Sequence, residues 1–67
     1  MKVVDFKGGR LALFQCPDKP VNQSWYMFNY KGQMYGAWIH SPMDEVQEKQ
    51  LTELAERTYD KLLELVP

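Results

Sequence analysis

Apolar and polar residues alternate through two short stretches near the start of the chain. Through a second pair, at 25–30 and 33–40, aromatic side chains dominate and both sets of alternate positions are largely apolar. From residue 42 onward the spacing changes to three and four. A period of two marks half-buried strands, and a period near 3.6 marks a helix with one apolar face. Residues 2–7 and 10–16 therefore read as a hairpin turning at Gly8-Gly9, since paired glycines accept the positive φ of a two-residue turn. That turn sets Phe6 opposite Leu11 and Val4 opposite Leu13, four residues that share a candidate core face. Val3, Asp5, Lys7, Arg10, Ala12, Phe14 and Cys16 fall on the other face. Residues 17–24 (PDKPVNQS) read as a loop, because Pro17 and Pro20 withhold donors and Asp18, Asn22 and Ser24 favour turns.

Residues 25–30 and 33–40 form the second expected hairpin, with Lys31-Gly32 at the turn. With Tyr30 paired to Gln33, one face carries Tyr26, Phe28, Tyr30, Tyr35, Ala37 and Ile39. The other carries Trp25, Met27, Asn29, Met34, Gly36, Trp38 and His40, and sets Trp25 opposite Trp38. The helix is expected over residues 42–66, with Ser41 as N-cap, Pro42 at the first helical position and Asp44 at the third. Leu51, Leu54, Ala55, Tyr59, Leu62, Leu63 and Val66 make its apolar stripe, and Glu45–Lys49 and Glu53–Arg57 are spaced as supporting pairs. The sum is a single α+β domain: a four-stranded antiparallel β-meander of two hairpins, packed against one long C-terminal helix.

This pattern leaves apolar surface over. One helix covers one face of a small sheet, yet both faces of the second hairpin are apolar, where a half-solvated sheet should alternate. Either sheet twist wraps the aromatics into one core, or one face is kept for a second contact. The tyrosine face is the expected exposed one, because a tyrosine can lie on a partner and still hydrate its hydroxyl. Gly36 would then let the helix approach the tryptophan face, or would mark a β-bulge.

Size and chemistry narrow the function. A chain of 67 residues builds one modest core, with little room for an enclosed active site. Its single cysteine, Cys16, excludes an internal disulfide and a cysteine-based zinc site, and suits a reducing compartment. Asp5 and the glycines at 8 and 9 interrupt any leader-like apolar core, and no run approaches the roughly 20 apolar residues of a membrane span. The expectation is a soluble cytoplasmic protein that takes no cofactor. Cys16 and His40 are the one nucleophile–base pair available; nothing in their spacing joins them, and a lone histidine without partners makes no metal site. Gly8-Gly9 is not part of a phosphate-binding loop pattern.

Charge adds a second thread. The formal net charge is -1, but residues 1–40 carry Lys2, Lys7, Arg10, Lys19 and Lys31 against Asp5 and Asp18, while seven acids face three bases in residues 41–67. A mildly basic sheet rich in aromatic rings offers cations to phosphates and stacking faces to bases. The run from Trp25 to Gly36 with its Lys31-Gly32 turn, followed by a capped helix, resembles the small DNA-binding domains at the N-termini of phage-type tyrosine integrases. The likeness covers residues 25–63 and implies a sheet that enters the major groove. The sheets of that family are richly basic and this one is aromatic.

Two functions are thus expected, in order. The first is a non-enzymatic protein-binding domain of adaptor or inhibitor type. Its anchors would be Tyr26, Phe28, Tyr30 and Tyr35, with Lys31 at the rim, and its partner another protein or a second copy. The second is a nucleic-acid-binding module using Lys7, Arg10 and Lys31 on the same sheet. An enzyme acting through Cys16 ranks third.

Overall fold

A computed structural model describes residues 1–16, 23–41 and 43–67. Four strands, β1 (Lys2–Phe6), β2 (Gly9–Cys16), β3 (Gln23–Tyr30) and β4 (Gln33–Ile39), precede a helix, α1 (Glu45–Leu65). The strands pair antiparallel in the order β1-β2-β3-β4, so the sheet is the expected meander with the helix against it. The expected loop over residues 17–24 is shorter at its end: Gln23 and Ser24 belong to β3, and 17–22 lie outside the described residues.

Both hairpins turn on a Lys-Gly pair. Lys7 and Gly8 have φ of 51° and 79°; Lys31 and Gly32 have 51° and 85°. Two successive positive φ values give the turn whose twist matches the flanking strands. In the second hairpin this produces the expected register, with Tyr30 opposite Gln33 and Trp25 opposite Trp38. Asn29 accepts a hydrogen bond from the Gly32 N–H at 3.1 Å and braces the turn. In the first, the turn is Lys7-Gly8 rather than Gly8-Gly9. Phe6 pairs with Gly9 and Val4 with Leu11, a shift of two that keeps all four candidate core residues on one face.

That face is the inner one. Leu11 stands opposite Phe28 and Leu13 opposite Tyr26, so the core face of the first hairpin runs into the tyrosine face of the second. The helix lies on it, burying Leu51, Ala55 and Leu62. Complete burial of a leucine such as Leu11 or Leu51 contributes about 1.5–3 kcal/mol. Tyr59 enters from the helix and meets the rings of Phe6, Phe28 and Tyr30 at 5.5–6.1 Å, edge-on to Phe6 and Tyr30. Leu63 and Val66, expected in the apolar stripe, remain exposed.

Polar tips fasten this core. The Tyr26 hydroxyl lies 2.7 Å from that of Thr58. The Tyr30 hydroxyl donates to the carbonyl of Val66, past the last helical residue, and lies 3.5 Å from that of Leu62, which already accepts the Val66 N–H. Ser24 is fully buried and donates to the Ser41 carbonyl at 2.7 Å, which pins the segment leading into the helix over β3.

The helix starts three residues later than its sequence suggests. Asp44, not Ser41, is the N-cap: its extended backbone (φ -122°, ψ -174°) aims a carboxylate oxygen at the Gln47 N–H, 2.9 Å away. Asp caps as well as Ser, and its charge faces the positive end of the helix dipole. Pro42 lies outside the described residues. The ion pairs among the described residues are Lys2–Glu48 at 2.7 Å and Lys61–Glu64 at 3.7 Å, in place of the expected Glu45–Lys49 and Glu53–Arg57. Lys2–Glu48 joins β1 to the first turn of the helix, but it is partly exposed and adds little stability.

Candidate interaction surface

The helix settles which face of the sheet is free. Tyr26, Phe28 and Tyr30, expected as anchors for a partner, are 1%, 2% and 5% exposed, and Tyr35 is half-buried on the same side. They form the core instead. The cause is chemical: the tyrosine hydroxyls that would have hydrated at a surface find partners on the helix. Of the expected contact residues, Lys31 alone stands clear, at the tip of its turn, with its ammonium 5.6 Å from the Tyr30 ring centre.

The outer face carries the tryptophan side of the second hairpin, which was expected under the helix, together with the side of the first hairpin expected opposite its core face. Phe14, Trp25 and Trp38 sit side by side across β2, β3 and β4, a row of three rings. Phe14 and Trp25 stack in parallel, 5.3 Å between centroids and 8° between planes. Trp38 is 57% exposed and takes the edge of His40 against its ring at 4.5 Å. The adjoining row is Val3, Ala12, Met27 and Gly36. Met34, also largely exposed, lies nearer the turn, 3.7 Å by its sulfur from the Asn29 amide. The charges on this face are Asp5 and Arg10, directly opposite each other in β1 and β2, so the face carries no net charge.

Gly36 shapes the surface. A side chain there would strike the carbonyl oxygen of Tyr26 and come within 3.2 Å of the Met27 side chain. The glycine is therefore required by the backbone of β3, not by the helix, which lies on the far side. The register from Ser24–Ile39 to Tyr30–Gln33 runs without an extra residue, which excludes a bulge. Above Gly36 opens a groove of about 430 Å³, walled by Trp25 and Trp38 and bordered by Met27, Ala37 and Gln23.

The expected nucleic-acid residues gather at one end. Lys7, Arg10 and Lys31 rim a depression of about 300 Å³ beside the two turns, with Tyr30 and Tyr59 in its wall. The Lys7 ammonium lies 6.0 Å from the Tyr59 ring centre, so this cation is already engaged with an aromatic face. Cys16 and His40 are not brought together: Cys16 ends β2, His40 follows β4, and β3 runs between. Among the described residues no group of three or more His, Cys, Asp or Glu side chains is placed to hold a metal ion. Among them, too, no helix is long and apolar enough to cross a membrane.

Sequence reasoning missed Trp25, Met27, Met34 and Trp38 as residues of the open face, and placed Phe14 opposite the core face without naming it as a contact. The usable signal was the side chains' polar tips. Ser24, Tyr26 and Tyr30 share a face, and the hydroxyls of the two tyrosines find partners on the helix packed over them. Compared with protein-family models, with curated proteins and with solved structures, the chain matches none of them.

Proposed function

We propose that this chain is a small non-enzymatic protein-binding domain whose contact surface is the outer face of the sheet. Phe14, Trp25 and Trp38 act as anchors, and the hollow above Gly36 receives an apolar side chain of the partner. The observation that carries this reading is the exposure of Trp38 (57%), Met34 (56%) and Val3 (48%) on one face without net charge. Contiguous apolar surface of this kind marks contact sites, and tryptophan is enriched where contacts contribute most energy. The lone thiol of Cys16 suits a reducing compartment, so the partner is sought among cytoplasmic proteins.

The test compares three forms of the immobilised chain against lysate of its native host. The unmodified chain should retain a protein that Trp25→Ser plus Trp38→Ser loses while keeping its circular dichroism. Lys7→Ala, Arg10→Ala and Lys31→Ala together should leave retention unchanged. Retention that survives loss of both tryptophans contradicts the proposal.

Nucleic acid is the second reading, favoured by the convergence of Lys7, Arg10 and Lys31 on one depression. It requires oligonucleotide affinity that falls steeply with added salt and disappears in the triple alanine variant.

A further inference from the structure

The two edges of the sheet are unlike. β1 is five residues long and carries Lys2 and Asp5, the kind of short, charged strand that resists pairing with another chain. β4 (QMYGAWI) is seven residues long and contains no charge and no proline, and its register holds no bulge. Among the described residues, neither charge, proline nor bulge guards that edge.

The turn geometry fixes which backbone groups this edge displays. Tyr30 and Gln33 flank a two-residue turn, so they exchange backbone hydrogen bonds with each other. Along an antiparallel ladder the direction then alternates. Gln33, Tyr35, Ala37 and Ile39 direct N–H and C=O toward β3, while Met34, Gly36 and Trp38 direct theirs away from the sheet. The displayed set is centred on Gly36.

We propose that β4 pairs antiparallel with β4 of a second copy, about a two-fold axis at Gly36, to give a continuous eight-stranded sheet. The pairing is self-complementary in three ways. Gly36 of each copy exchanges both backbone hydrogen bonds with Gly36 of the other, and Met34 of each does so with Trp38 of the other. On the outer face this sets a Met34 side chain beside a Trp38 ring at both ends, covering two of the most exposed apolar side chains of the sheet with a sulfur–aromatic contact. On the inner face Tyr35 meets Ala37, large against small, and no charge meets a like charge anywhere along the strand. The axis stands perpendicular to the sheet, so both helices remain in one layer and both tryptophan faces point the same way. The guarded β1 edges end the assembly at two copies, because a two-fold contact uses the same strand from each.

This proposal does not rest on the protein-binding reading, and the two fail separately. A chain that pairs but retains no other protein removes only the latter. A monomeric chain that retains one removes only the pairing.

The experiment joins sedimentation equilibrium to amide hydrogen exchange on the whole chain. The expected mass is twice the monomer's 7.9 kDa. The amides of Met34, Gly36 and Trp38, which point out of the monomer, should exchange as slowly as those of Tyr35 and Ala37 once the chain is paired. Met34→Pro removes one displayed N–H per copy without touching a backbone bond to β3, and should weaken pairing at least about tenfold with the fold retained. If that variant does not fold, Met34→Lys, which sets a charge on the edge, should weaken pairing in the same way. A chain that stays monomeric at high concentration overturns the proposal. So does a dimer in which the Met34, Gly36 and Trp38 amides exchange freely.

Discussion

Tyr26 donates its hydroxyl proton to Thr58, because the Thr58 hydroxyl, 2.7 Å away, already spends its own proton on the Leu54 carbonyl at 3.0 Å. A strand in the middle of the sheet is thereby tied to the middle of the helix through one directed, partly buried bond. Such a bond also explains why the tyrosine face packs inward, since a phenol can be buried at little cost once its hydroxyl has a partner.

Tyr26→Phe removes that bond while keeping the ring and its stacking on Phe28. The expected loss is about 1 kcal/mol, which for a domain of this size lowers Tm by roughly 4–8 °C. Thermal unfolding followed by circular dichroism measures it. An unchanged Tm would mean that the hydroxyl gains nothing from the helix.

Lys31 holds a φ of 51°, a left-handed conformation that crowds its Cβ against the following carbonyl and that asparagine adopts more readily. Lys31→Asn should therefore stabilise the chain by about 0.5–1 kcal/mol. The same melt reads it, and a fall in stability would instead make the Lys31–Tyr30 ring contact the stronger effect.

Leu51 and Leu63 occupy the same apolar stripe in sequence but not in space: Leu51 is fully buried and Leu63 is 47% exposed. Leu51→Ala should cost about 2–5 kcal/mol, a large share of what a small core supplies. Leu63→Ala should stay within about 0.5 kcal/mol. Urea unfolding of both variants checks the contrast, and equal effects would place the helix in a different rotation over the sheet.

These residues also show what could be read from the chain. The elements, their order and the Trp25–Trp38 register were legible, because alternation, helical spacing and the Lys31-Gly32 turn all act over a few residues. The exact first turn was not, since Lys7, Gly8 and Gly9 offer two adjacent two-residue turns; the twin Lys-Gly pair at 31–32 was the clue. The N-cap was ambiguous for a like reason, with Ser41 and Asp44 both able to cap. The decisive uncertainty was the face of the sheet. Both sides of the second hairpin are apolar, and its relation to the first depends on how β2 continues into β3 across residues 17–22. Pairing of Leu11 with Phe28 and Leu13 with Tyr26 fixes that relation, and local patterning does not contain it. The expected anchors Tyr26, Phe28 and Tyr30 were lost with that one choice, and the surface passed to Phe14, Trp25 and Trp38.

The central claim is that the helix seals the tyrosine face and leaves the tryptophan face open. A soluble paramagnetic probe tests it directly, by broadening the NMR signals of side chains it can approach. For the chain diluted to its monomer, the account predicts strong broadening of the Trp38 indole and the Met34 methyl, with the rings of Tyr26, Phe28 and Tyr30 spared. Broadened tyrosine rings beside a protected Trp38 would contradict it.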